Sequence, residues 1–270
     1  MKFKFIFFLF NMTLLFLLAV ILLLYFSTMN STLAEPFWRM NWPFISMWML
    51  LICGFNTFYF LNRQLFLLLE KEDWPALVIY LENRVVYRGN YSSRLVRLLA
   101  YSNLVLSNSP AVISLENKIA MAKPALLDAH ALLFGTARVL ARDITGALRF
   151  FEARKKTAAY SIRDWVCWYH GFTLLLSGRI EEASDVFIPL TLRSKDGVIT
   201  ALSSYFLNQS VRRIIDGAAL IEVSQKGRDR ALKLLPALKN WDREMIRLST
   251  EIHGAAITKY LNECARWVYA

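Results

Sequence analysis

Glycine and proline are scarce in this chain of 270 residues, at 10 and 7. That excludes collagen-like and low-complexity chains and argues against an all-β fold rich in tight turns. The three cysteines, Cys53, Cys167 and Cys264, have no close spacing, which excludes a disulfide framework. Histidine is equally rare. Of His130, His170 and His253, only His170 has a cysteine (Cys167) one helical turn away, and no second pair completes a metal site. There is no Gly-rich phosphate loop, no G-x-S-x-G and no H-E-x-x-H. No alternation of period two predicts a sheet. Acidic residues are outnumbered, 21 against 32 Lys and Arg, for a net charge of +11. Apolar residues are abundant: 56% of the chain, with a mean hydropathy of +0.35. A soluble domain holds ~45–50%, and so apolar a chain is not wholly disordered.

Two stretches concentrate that excess. Residues 5–26 (FIFFLFNMTLLFLLAVILLLYF) run 22 residues without a charge. At ~1.5 Å per residue they reach ~33 Å, enough for a ~30 Å hydrocarbon core. A cleavable signal peptide is the rival, with Thr32-Leu33-Ala34 as a cleavage site, but the stretch exceeds the ~7–15 residues of a signal core. An uncleaved helix is expected. Residues 43–61 (PFISMWMLLICGFNTFYFL) are also uncharged, with Phe37, Trp38, Trp42 and Phe44 at one end and Phe58, Tyr59 and Phe60 at the other. Such aromatic belts suit a second span. Lys2 and Lys4 precede the first span, and Arg63 and Lys71 follow the second. The connection 27–42 holds only Glu35 and Arg39. The positive-inside rule then places both ends in the cytoplasm and the connection outside. Asn62 to Leu69 continues the second span with no helix breaker.

Residues 63–270 carry 29 basic and 20 acidic residues. Apolar residues recur there at intervals of three and four, which predicts helices throughout. Two segments repeat. In LLFGTARVLARDITGALRFFEA (132–153) and WYHGFTLLLSGRIEEASDVFIP (168–189), Gly135 aligns with Gly171, Ala147 with Ala183 and Phe151 with Phe187, always 36 apart. Each has a small residue in a first helix, a turn (Arg142-Asp143; Ser177-Gly178-Arg179), then Ala and Phe four apart on one face of a second helix. This resembles the tetratricopeptide repeat, a ~34-residue helix–turn–helix unit, although its closing proline is missing. Gly135, Ala147, Phe151, Gly171, Gly178, Ala183 and Phe187 are the matching structural positions. Weaker copies carry Ala76 and Tyr80; Ala100, Ala111 and Leu115; and, after Gly217, Ala219, Gly227, Ala231 and Leu235. Residues 198–208 form an extra helix by this pattern. Residues 241–270 read as one long capping helix, with Asn240 at its N-cap.

The expected architecture is therefore all-α: a membrane anchor (1–62), a helical-hairpin solenoid (63–240) and a cap (241–270). The resemblance implies that first helices line a concave groove. Trp165, Trp168 and Phe172 would stand there as anchors for a protein partner; packing against the neighbouring hairpin is the alternative. Cys167, His170 and the pair Glu181-Glu182 read as structural, the last favoured by a helix N-terminus. The basic clusters Arg154-Lys155-Lys156, Arg212-Arg213 and Lys226, Arg228 and Arg230 read as solvated faces, with no stripe for nucleic acid. The expected function is a non-enzymatic scaffold, without metal or cofactor, that gathers partners at a bacterial inner membrane. The repeat domain would be cytoplasmic, lipid a second partner, and self-association open. In layout it is similar to inner-membrane repeat proteins of haem biosynthesis and to those of the spirochaete flagellar collar, the latter implying a periplasmic domain. A non-catalytic subunit of a membrane enzyme complex is the other alternative.

Overall fold

A computed structural model describes residues 3–28, 31–211 and 218–270, with side chains for 5–23, 42–209 and 219–270. Lys2, Arg212, Arg213 and Gly217 lie outside the described residues, as do the side chains of Lys4, Glu35, Phe37, Trp38 and Arg39. The described residues are helical, with no strand among them. They form two compact units, Met1–Tyr80 and Leu81–Ala270.

The first unit pairs α1 (Phe3–Thr28) with α2 (Ser31–Glu70). Both are long and apolar enough to cross a membrane. The connection expected over 27–42 is instead mostly helix, because Ser31 already opens α2. Leu33, Ala34 and Glu35 support it as good or tolerable helix formers. At the other end α2 continues past Leu61 to Glu70, as the missing breaker implied. The two helices meet along one strip: Phe7 stacks on Tyr59 at 3.8 Å, and Asn56 donates to Asn11 Oδ1 at 2.8 Å. Away from that strip Phe16, Leu50 and Phe60 are 68%, 73% and 65% exposed.

The second unit begins at Leu81, within α3 (Trp74–Glu82), and continues through a π-helical turn, Asn83–Tyr87. Pairs follow: α4 (Ser93–Val105) with α5 (Ser109–Ala122), then, after the short α6 (Ala125–Ala129), α7 (Ala131–Leu140) with α8 (Ile144–Arg154), and α9 (Tyr160–Leu176) with α10 (Ile180–Arg193). Within this unit each second helix also packs on the next first helix: α5 on α7, α8 on α9, α10 on α11 (Gly197–Phe206). The extra helix expected over 198–208 is thus α11, extended by a π-helical turn to Val211 and paired with α12 (Ala218–Leu234).

The chain reverses by one device. Glu72, Ser107, Arg142 and Gly178 have φ of 52, 57, 60 and 77°, at intervals of 35, 35 and 36 residues. After each, the next amide reaches back five residues: Asp73 to Leu68, Asn108 to Asn103, Asp143 to Arg138 and Arg179 to Leu174. This is the Schellman closure, which satisfies carbonyls left free at a helix end. In three cases the same residue then caps the next helix by its side chain: Asp73 accepts from Ala76 N, Asn108 from Ala111 N and Asp143 from Gly146 N. Such caps contribute ~1 kcal/mol each.

The helices of a pair approach closely where glycine allows it. A Cβ on Gly135 would lie 2.1 Å from the Phe151 ring, and one on Gly171 2.9 Å from Phe187. Ala147, Ala183, Phe151 and Phe187 are fully buried. A side-chain bridge adds polar order: Arg138 donates to Glu116 at 2.8 Å and to Asp143 at 2.6 Å, tying α5, α7 and the start of α8.

The single helix expected over 241–270 is broken. The segment starts earlier, at α13 (Leu238–Ser249), so Asn240 lies inside the helix rather than capping it, and continues as α14 (Ile252–Ala256) and α15 (Thr258–Tyr269). Two local causes act at the first break. Ser249 and Thr250 hydroxyls bond to carbonyls three residues back, which competes with continued helix. Gly254 sits on the Leu248 backbone, where a Cβ would lie 2.2 Å from its oxygen. The bend lets α14 pack on α7 and α15 on α11.

Candidate partner-binding groove

The aromatic anchors expected on an open surface are core residues. Trp165, Trp168 and Phe172 are 5%, 0% and 5% exposed. Trp168 stacks on Phe172 at 5.2 Å and tilts against Phe187 and Phe206. The bent C-terminal segment covers the other side: Trp165 meets the His253 ring at 5.1 Å, and Phe172 meets Tyr260 at 5.4 Å. The buried Tyr169 hydroxyl donates to the His253 carbonyl at 2.6 Å. Helical spacing alone carries no sign of a distant segment folding back over that face.

What remains open lies beside the bend. A groove of about 450 Å³ is lined by Arg97 and Tyr101 of α4, His130, Leu133 of α7, Ile162 of α9 and Glu251. A second hollow of about 410 Å³ is walled by Leu104, Val105, Leu140 and Ala255, and shares Tyr101, Thr250, Glu251 and Ile252 with the first. Three successive first helices therefore offer side chains to one surface. Arg97, Tyr101, Leu133, Ile162 and Glu251 were not singled out by the sequence pattern.

The groove mixes apolar walls with a few polar groups. His130 Nε2 lies 2.9 Å from the Ser93 hydroxyl, and burial, helped by the charge of Arg97, holds its pKa below the ordinary value. His253 is pushed down to about 4 by burial and then by Arg247. Glu251 stands 3.3 Å from its Nδ1, a contact that a neutral imidazole makes by donating its N–H. Both histidines are thus neutral near pH 7, leaving Arg97 and Glu251 as opposed charges on the rim. Among the described residues no three His, Cys, Asp or Glu side chains lie close enough to hold a metal ion. Glu181 and Glu182 lie in the first turn of α10, where Glu182 pairs with Arg179 (2.6 Å from Nε) and stays a solvated carboxylate.

A family model described as "Uncharacterised Treponema protein" matches residues 111–270. A protein of Treponema pallidum (strain Nichols), described as an uncharacterized protein, is 31% identical over 166 residues, which cover 62% of this chain and 53% of that one. The aligned part thus spans about half the length of that relative. No solved structure matches.

Proposed function

The chain belongs to that Treponema family, and from this premise we propose that it is a membrane-anchored scaffold. Two transmembrane helices precede a tetratricopeptide-like solenoid that binds or assembles protein partners at the bacterial inner membrane. The left-handed turn recurring every 35 or 36 residues carries this reading. A tetratricopeptide unit is a ~34-residue helix–turn–helix, and the turns at Ser107, Arg142 and Gly178 each end one helix and start the one it packs against. In such arrays the first helices face a common groove, and α4, α7 and α9 do contribute jointly to one. The segment α13–α15 takes the place of a terminal cap.

The anchor is supported by its surface. Exposed apolar patches as large as those on α1 and α2 are rare on soluble monomers, whereas helices are at home in lipid because they satisfy their own backbone. The Asn11–Asn56 bond gives both amides a partner within that environment. Basic residues at the outer flanks (Lys2, Lys4, Arg63, Lys71) against Arg39 alone between the helices put the solenoid in the cytoplasm. The protein is then a binder without a catalytic centre or cofactor.

Capture from membranes in mild detergent tests the assignment. Full-length protein carrying Leu133→Lys and Ile162→Lys loses the proteins that co-purify with the unchanged chain, and Met121→Ala, exposed and outside the groove, keeps them. An interface anchor contributes ~2 kcal/mol, or about 30-fold in affinity. Undiminished capture by the groove variant contradicts the assignment.

A further inference from the structure

A further cavity lies away from the groove, between α9 and the C-terminal half of α10, with a volume of about 360 Å³. That is within the size range of small-molecule sites. α9 presents Asp164, Cys167 and His170 to it at three-residue steps, while Trp165, Trp168 and Phe172 on the same helix go to the core. α10 supplies an apolar floor of Val186, Pro189 and Leu190. Lys155, from the end of α8, and Arg193 bring two cations to the rim.

We infer that this cavity binds a small organic anion, its carboxylate or phosphate head held by Lys155 and Arg193 and its short apolar body resting on Val186, Pro189 and Leu190.

Four observations converge. The cations outnumber the one carboxylate present, Asp164, which already accepts a 2.6 Å bond from the Ser194 hydroxyl. His170 is 95% buried (5% exposed), and its Nδ1 has no hydrogen-bond partner. An unpaired buried polar atom costs ~1–3 kcal/mol, and this imidazole forms part of the cavity wall. Burial, followed by the Lys155 charge, lowers the His170 pKa. The ring is therefore neutral at pH 7 and serves as a donor or acceptor without adding charge. The Cys167 thiol donates to the Lys155 carbonyl at 3.9 Å, and burial, then Asp164, raises its pKa. It stays protonated and does not repel an anion.

The test uses the full chain in detergent micelles, with ¹³C-labelled histidine and the signal of His170 identified by its loss in His170→Gln. Butyrate, butyl phosphate, inorganic phosphate and butylamine are titrated separately. Butyrate or butyl phosphate shifts the His170 signal saturably and slows alkylation of Cys167 by iodoacetamide, and butylamine does neither. A response to butyrate alone marks a carboxylate, one to butyl phosphate alone a phosphomonoester, and both support the anion class. Lys155→Gln and Arg193→Gln, at sites where folding is undisturbed by circular dichroism, each weaken the response about tenfold. The inference is overturned by no saturable shift with either organic anion, by an equal response to butylamine, by inorganic phosphate binding as tightly as butyl phosphate, or by full binding in both charge variants.

Discussion

The two units of this chain treat large apolar side chains in opposite ways. In the first, Phe8, Phe16, Leu50 and Phe60 are 61–73% exposed. In the second, Trp165, Trp168, Tyr169 and Phe172 of a single helix are at most 5% exposed. Residue type does not decide this. Among the described residues α1 packs on α2 along one strip, and most of its side chains face outward. α9 is packed by α7, α8, α10 and α11, and its ring cluster is closed by α14 and α15. Each apolar side chain moved from water contributes ~1.5–3 kcal/mol. The second unit collects that stabilisation from protein, and in our reading the first collects it from lipid.

Substituting one large aromatic in each unit sharpens the contrast most. Trp168→Ala opens a cavity beneath Phe187 and Phe206 and destabilises the second unit by ~3–5 kcal/mol, seen as a large fall in melting temperature by circular dichroism. Phe16→Ala changes that same transition by no more than ~0.5 kcal/mol. Acid gives the next largest effect. The His253 pKa of about 4 lies below its ordinary 6.5. The unfolded chain therefore binds the proton first, and stability falls as pH drops from 6.5 toward 4. Over that window the loss is ~3 kcal/mol, measured by urea unfolding at a series of pH values. His253→Gln removes most of this dependence.

Smaller effects probe the pairing of helices. Gly135→Ala forces a methyl into the Phe151 ring and lowers stability by ~1–3 kcal/mol, whereas Gly171→Ala, with more room before Phe187, loses less. Smallest is the turn itself. Gly178→Ala strains a φ of +77° and loses ~1 kcal/mol, read from the midpoint of the same urea titration.

Much of this was visible in the residues. Apolar run length indicated α1 and α2, and three- and four-residue periodicity indicated helices everywhere else. Gly135 and Gly171, aligned with each other by the repeat spacing, are the places where Phe151 and Phe187 pack close. Other features were hidden for physical reasons. Glu72, Ser107 and Arg142 adopt a conformation that favours glycine; the repeat alignment still marked the turn at Arg142, but composition masks those at Glu72 and Ser107. A better signal was present: Asp73, Asn108 and Asp143 stand 35 apart, each three residues before an alanine or glycine. The break after Ser249 comes from hydroxyl bonds and the Gly254 contact, which leave the three- and four-residue apolar spacing unchanged, and the burial of Trp168 depends on α10 and α11, remote in sequence. The groove was missed because part of its wall, Thr250 to His253, comes from the bend that the helical pattern runs straight through.

Fractionation tests the contrast most directly. Cells making the full chain, or residues 81–270 alone, are broken and their membranes washed with alkaline carbonate. The account predicts that the full chain stays in the membrane pellet while residues 81–270 remain soluble, helical and cooperatively folded. Release of the full chain by carbonate, or aggregation of residues 81–270 without the first unit, contradicts it.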